Sequence, residues 1–312
     1  NTEYFIGTNT GTDSATSVIM NYSIFRDNAW TYDGTNPATA NEVVGGASYR
    51  DGHATYNNKI TVTGVPAANL NFVYGGKTNG AADSEVNWVI VKGTDKAGGQ
   101  GAGSIANING GFTAKADGAA SVNHVIIKGG TITNVVGGAV SGANASAQKN
   151  EVRIEGGTVT NVIGGTAASA GNMSENTVTI TGGTVSRVNA TTPGYVVGGD
   201  SRVLTSLSRM NVINLGDDEG NFTADLSNAQ LWGTSYNGNV FANDSEKIAG
   251  NTLNVKAKSG ATIAKVRNIE KFNFQLHDDT TKNAPLLTLT DADGFGNVSA
   301  DGTAVQVKWD NV

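Results

Sequence analysis

A short glycine motif recurs along the chain and constrains its fold more than any other feature. Two aliphatic or aromatic residues precede two glycines at 43–46, 73–76, 135–138, 162–165 and 196–199, and degenerate copies lie at 108–111 and 231–234. The first glycines of successive copies are 27 to 35 residues apart. Self-similarity at such a period is typical of a solenoid, in which each repeat is one structural unit and insertions lengthen some repeats.

A second repeated element begins with asparagine and lies between the glycine copies. It reads NKITVTG at 58–64, NWVIVKG at 87–93, NHVIIKG at 123–129, NEVRIEG at 150–156 and NTVTITG at 176–182. Every second residue after the asparagine is aliphatic, which predicts a strand with one apolar face. A further short strand is predicted in 129–138, in 156–165 and in the related segment 259–269.

One such coil does not fold alone. Its about four or five inward aliphatic residues contribute roughly 1.5–3 kcal/mol each, whereas ordering each backbone residue costs about 1–2 kcal/mol. Stacking buries every coil against two neighbours. The sequence therefore predicts an all-β chain, a parallel β-helix of about seven or more coils. The coils are expected over 41–274, between an N-terminal capping segment at 1–40 and C-terminal cap strands at 275–312, as one continuous unit.

Stacking places the asparagines in one column, where each side-chain amide is expected to bond to the next. The predicted structural ladder consists of Asn58, Asn87, Asn123, Asn150, Asn176, Asn211 and Asn251. We expect the double glycines to be turns that need positive φ and close backbone approach. The glycine-rich run at 93–104 lacks the Lys-Ser/Thr ending of a phosphate loop, so we predict an insertion loop there.

Composition excludes several classes of protein. The 42 glycines have no strict three-residue period and there are only 4 prolines, which excludes collagen. The absence of cysteine removes disulfides, thiolate metal sites and cysteine nucleophiles. A net charge of −6 disfavours nucleic acid as a partner. No apolar run reaches the length of a membrane helix and no leader opens the chain, so we expect a processed or trimmed soluble portion.

The coils GGTVTNVIGG and the later segment SGATIAKVRNIEKFNFQL (259–276), in a chain rich in Gly, Asn and Thr, resemble the passenger region of Gram-negative bacterial autotransporter adhesins. The resemblance covers 58–312. It implies a right-handed β-helix, type V secretion and display on the bacterial surface through a C-terminal outer-membrane β-barrel, which we expect to lie outside this chain. It also implies an adhesin or, less often, a displayed protease or esterase.

No catalytic residue, metal site or cofactor is predicted. The Gly-Asp-Ser strings of protease and esterase passengers do not occur, and His53, His124 and His277 are expected at the surface. The acidic clusters at 217–219 and 278–279 fall at apparent turns, without the motifs of polysaccharide-cleaving β-helix enzymes. We interpret them as solvated turn carboxylates, with an adventitious calcium site as the alternative.

The ligand-binding hypothesis rests first on outward-facing residues of two adjacent coils. Trp88 and Ile90 are expected beside His124 and Ile126, in a partly apolar patch flanked by Lys92 and Lys128. Exposed apolar patches mark contact sites. The alternative is that the insertion at 93–104 folds over the patch.

The hypothesis rests second on loops that follow the double glycines and are expected on one side of the solenoid. Aromatic and charged residues that favour binding are concentrated in two of these loops. They are Tyr49, Arg50, His53 and Tyr56 in one loop, and Tyr236 and Phe241 in the other.

The predicted function is that of a non-enzymatic, extracellular adhesin on the bacterial cell surface, with roles in virulence or biofilm. Its expected partner is a host surface protein, a glycan or another bacterial cell. The alternatives are a carbohydrate-active β-helix enzyme, a hydrolase or lyase, and a self-associating aggregation factor.

Overall fold

A computed structural model describes most of the chain. The described residues are 4–8, 16–20, 26–35, 40–48, 53–78, 82–99, 101–236, 249–280, 284–291 and 294.

Two long sheets run the length of this part of the chain. The nine-stranded sheet contains β3 (Ala29–Tyr32), β6 (Lys59–Val62), β9 (Trp88–Val91), β11 (His124–Ile127), β14 (Glu151–Ile154), β17 (Thr177–Ile180), β20 (Val212–Leu215), β22 (Thr252–Val255) and β24 (Lys271–Phe274). The twelve-stranded sheet contains β1 (Tyr4–Thr8), β2 (Thr16–Met20), β4 (Glu42–Ser48), β7 (Leu70–Thr78), β10 (Ile105–Thr113), β12 (Thr131–Val140), β15 (Thr158–Ala167), β18 (Thr184–Val185), β19 (Gly194–Ser201), β21 (Leu226–Tyr236), β23 (Ala261–Arg267) and β25 (Leu287–Leu289).

Smaller elements complete the coils. Two lateral pairs join β5 (Thr55–Tyr56) to β8 (Ser84–Glu85) and β13 (Ala145–Ser146) to β16 (Gly171–Asn172). A 3-10 turn spans Ala97–Gly99.

Strands inside the two long sheets pair with their equivalents in the preceding and the following coil. These pairings are parallel, and among the described strands only β1 and β2 pair antiparallel. Strands that repeat in sequence thus stack in register, which confirms the predicted all-β parallel β-helix. β2 and β3 join the two sheets although they precede residue 41. β25 pairs with β23 inside the segment expected to be the C-terminal cap.

The core follows the predicted alternation. In β11, Val125 and Ile127 are fully buried in the main core, whereas His124 and Ile126 are half-buried on the outer face. A separate small core, which includes Val140 and Met173, lies beneath the lateral strands. Each coil therefore contributes its own aliphatic residues, and the stack makes those residues one continuous core.

The seven predicted asparagines form a continuous buried ladder. The Oδ1 of each one accepts from both the Nδ2 and the backbone N–H of the preceding asparagine, and the Nδ2–Oδ1 distances are 2.8–3.2 Å. The ladder extends to Asn28, whose Nδ2 lies 2.7 Å from Asn58 Oδ1. Sequence reasoning missed Asn28, because the inward residues that follow it are Trp30 and Tyr32 and not aliphatic residues.

The residue before each ladder asparagine has a left-handed backbone. These residues, with φ between 52° and 61°, are Asn57, Val86, Val122, Lys149, Glu175 and Met210. Gly250 takes the same place before Asn251, with φ 76°. This conformation turns the chain into the ladder position, at a steric cost for β-branched residues.

The double glycines are not turns, so that prediction is wrong. They lie within β4, β7, β10, β12, β15, β19 and β21, and the positive φ values fall instead at the separate turn glycines Gly130, Gly157 and Gly183. The expected close approach is correct: a Cβ on Gly137 would lie 2.4 Å from the Gly164 carbonyl oxygen and 2.7 Å from the Asn150 Cβ. The double glycines make room for the ladder and for the next coil.

Candidate functional site

The outer face of the nine-stranded sheet brings the predicted patch together. Register pairs Trp88 with His124 and Ile90 with Ile126. The next coil adds Glu151 beside His124 and Arg153 beside Ile126. The patch defined by Trp88, Ile90, His124 and Ile126 is therefore continuous with a charged neighbour from β14.

An aromatic stack lies at the centre of the patch. The rings of Trp88 and His124 are 3.8 Å apart between centroids and 12° from parallel. His124 Nδ1 lies 3.1 Å from Glu151 Oε2. The hydrogen bond from His124, helped by the nearby Arg153 charge, lowers the pKa of Glu151 against the opposing effect of burial. The carboxylate therefore stays ionised and holds the imidazole in place.

A chain of ion pairs borders the stack. Arg153 Nε lies 3.5 Å from Glu155 Oε1, and Lys128 Nζ lies 3.1 Å from Glu155 Oε2. The rim is thus mixed and ion-paired, in contrast to the basic rim expected from Lys92 and Lys128. Sequence reasoning missed Glu151, Arg153 and Glu155, although they occupy the positions in NEVRIEG that match His124, Ile126 and Lys128 in NHVIIKG.

These side chains enclose an open depression of about 330 Å³. Its lining consists of Trp88, His124, Val125, Ile126, Glu151, Arg153 and Glu155. No described residue of the insertion at 93–104 belongs to this lining. The insertion packs instead at a corner of the coil, where Lys96 forms a bridge with Val65 and the Ala97 backbone N–H donates to the Val65 carbonyl at 2.9 Å. The patch is therefore open beside the insertion.

The predicted loop residues are only partly described. Tyr49, Arg50 and Phe241 lie outside the described residues, as does the side chain of Tyr236, whose backbone ends β21. His53 is exposed, and Tyr56 is 46 % exposed in the lateral strand β5.

The other candidate groups have structural partners. His277 Nε2 contacts the Lys256 carbonyl oxygen at 2.8 Å. In the acidic turns, Asp217 accepts from the Asn221 backbone N–H at 2.7 Å, and Asp279 lies 2.8 Å from Lys258 Nζ. Among the described residues, no group of three or more His, Asp or Glu side chains is placed to hold a metal ion.

Stacked parallel coils, a buried amide ladder and an open outer patch define a protein of the parallel β-helix class. No family model, curated protein or solved structure matches the chain. The described part of the chain contains no helix with the length and hydrophobicity needed to cross a bilayer.

Proposed function

We propose that the chain is the binding region of a bacterial cell-surface adhesin of the autotransporter passenger type, without enzymatic activity. The β-helix acts as a rigid support, and the patch of Trp88, Ile90, His124 and Ile126 contacts a host surface protein, a glycan or another bacterial cell. In the full-length protein, an outer-membrane barrel would hold the region outside the cell.

One observation carries the proposal: an aromatic and aliphatic patch stays open on a strand face fixed by neighbours on both sides. Half-buried Trp and Ile side chains of this kind add contact area with little further loss of side-chain entropy, because the stack has already ordered them. Tryptophan at the centre of a contact surface is a frequent binding hot spot. The ion pairs around it resemble the polar rim of a protein interface.

The test is a binding screen of the purified chain against arrays of host surface receptors and glycans. Trp88→Ala is compared with Val212→Ala, a half-buried outward residue four coils further along the same sheet face. We expect saturable binding to one ligand class, weakened about tenfold or more by Trp88→Ala and unchanged by Val212→Ala. Equal binding by both variants would contradict the assignment of the patch. Cleavage of a polysaccharide on the array would favour a carbohydrate-active enzyme instead.

A further inference from the structure

The outer face of the twelve-stranded sheet carries a second surface, formed by three columns of in-register side chains. The first column runs Phe72, Asn107, Asn134, Asn161, Tyr195. The second runs Tyr74, Asn109, Val136, Ile163, Val197 and Trp232. The third, beyond the double glycines, runs Lys77, Phe112, Ala139, Thr166, Asp200 and Ser235.

The middle column is shielded more than the first. Tyr74, Val136 and Val197 are at most 7 % exposed, yet they do not belong to the main core. The first column is half-buried throughout. Ile163 of the middle column is half-buried like the first column, and the columns run side by side along the solenoid axis. We call the surface formed by the three columns the amide trough.

Aromatic side chains stand at both ends of the amide trough. At one end Tyr74 packs with Phe72 at 5.7 Å and with Phe112 at 5.9 Å between ring centroids. At the other end Tyr195 and Trp232 meet edge to face at 6.3 Å. With about 4.8 Å between neighbouring strands, the four steps from Tyr74 to Tyr195 span roughly 19 Å.

Between the aromatic ends the wall is an open amide ladder. Asn161 Nδ2 donates to Asn134 Oδ1 at 2.8 Å, and Asn134 Nδ2 donates to Asn107 Oδ1 at 2.9 Å. Each amide has two N–H donors and two acceptor lone pairs, so these bonds use only part of its capacity. None of the nine column residues on β10, β12 and β15 is charged.

Two polar atoms near the Tyr195 end have no hydrogen-bond partner among the described residues. They are Trp232 Nε1, in a side chain that is 6 % exposed, and Asn161 Oδ1. One is a donor and the other an acceptor. Both atoms are themselves shielded from solvent, so a ligand hydroxyl serves them only where the side chains around Trp232 and Asn161 move aside.

We propose that the amide trough binds a segment of an uncharged oligosaccharide. Sugar hydroxyls match the repeated amides, aromatic rings pack against sugar C–H faces, and the uncharged centre suits a neutral chain. An extended peptide fits less well, because the spacings differ. Groups on one side of an extended peptide recur at intervals of about 6.8 Å, whereas the amides of neighbouring strands are about 4.8 Å apart. This surface lies on the twelve-stranded sheet and the patch on the nine-stranded sheet, so the proposal is independent of the proposed function.

The test measures binding of the whole chain to neutral glucan, galactan and mannan oligosaccharides, with heparin as the anionic comparison. Thr166→Arg places a long cationic side chain at a half-buried position of the third column without removing a ladder amide. Its matched control is Thr252→Arg, an outward half-buried position on the nine-stranded sheet. Tyr195→Ala is the second variant, and urea unfolding checks that every variant is folded.

We expect binding to at least one neutral oligosaccharide, weakened about tenfold or more by Thr166→Arg and by Tyr195→Ala. Thr252→Arg should bind like the natural chain, and affinity should stay constant between about 50 and about 500 mM salt. Binding to none of the neutral oligosaccharides overturns the proposal. So does binding that both trough variants retain, or binding to heparin alone that salt abolishes. Loss of receptor binding in Trp88→Ala tests the patch alone.

Discussion

Removing one rung of the buried ladder tests whether the amides hold the coils together. In Asn123→Ala, the Oδ1 that accepts from the Asn87 backbone N–H at 3.0 Å and from Asn87 Nδ2 at 3.1 Å is lost. The Nδ2 that donates to the Ser84 carbonyl oxygen at 3.0 Å and to Asn150 Oδ1 at 3.1 Å is lost as well.

The groups that bonded to Asn123 differ in the hydrogen-bond partners that they keep. Asn87 Nδ2 keeps the Ser84 Oγ at 3.2 Å, and Asn150 Oδ1 keeps the Asn123 backbone N–H at 3.0 Å. The Asn87 backbone N–H loses its ladder acceptor in a fully buried residue, which costs about 1–3 kcal/mol. The remaining lost bonds contribute about 1 kcal/mol each. We therefore expect a loss of about 4–6 kcal/mol in the free energy of unfolding.

Urea unfolding followed by circular dichroism measures this loss, with the m-value as a check that the same surface unfolds. The matched control is Asn134→Ala in the open amide ladder, where water replaces the lost partners and a loss below about 1 kcal/mol is expected. A loss below about 1 kcal/mol for Asn123→Ala, or equal losses for the two variants, would refute the idea that the buried ladder stabilises the stack.

Three further predictions concern single positions. Gly137→Ala should lower stability by about 2–4 kcal/mol or prevent folding, because its Cβ would overlap a backbone carbonyl of the next coil; thermal unfolding of the purified variant measures the effect. Val122→Asn should raise stability by about 0.5–1 kcal/mol, because Val122 has φ 57° and Asn57 tolerates the same position in another coil; an unchanged or lower urea midpoint would contradict this. Burial raises the pKa of Asp200, against the hydrogen bond from Ser235. Its charged form therefore destabilises the fold at neutral pH, and the penalty disappears as the pH falls below the folded-state pKa. Asp200→Asn should raise the urea midpoint at pH 7 and have little effect near about pH 3.

Local patterns predicted the strands and the ladder because their causes are local. The alternation around Val125 and Ile127 fixes which side of β11 faces the core, and the asparagine before it then takes the same place in every coil. Asn28 was not predicted to belong to the ladder, because its neighbours Trp30 and Tyr32 do not match the aliphatic pattern. The double glycines were misassigned because the close approach at Gly137 comes from the next coil, about one repeat away in sequence.

The candidate site was predictable in part for the same reason. Trp88 and His124 hold matching places in two strand repeats, so their proximity follows from register alone. The ion pair of Glu151 with His124 depends on side-chain conformations across coils, which alternation does not encode. The amide trough was not predicted, because the double glycine interrupts the alternation of apolar and polar residues in these strands. Val136 and Ala139 lie on either side of the double glycine, and both are shielded outside the core.

Because the ladder advances by one strand spacing per coil, the height of the molecule depends on the number of coils and not on the number of residues in each coil. Neighbouring ladder residues Asn150 and Asn176 are 26 positions apart, whereas Asn211 and Asn251 are 40 apart. Both intervals advance the stack by one strand spacing, about 4.8 Å. An insertion within a coil widens the molecule sideways and leaves its reach unchanged, whereas adding a whole coil lengthens it by a fixed step. The length of the solenoid and the content of its loops can therefore evolve independently.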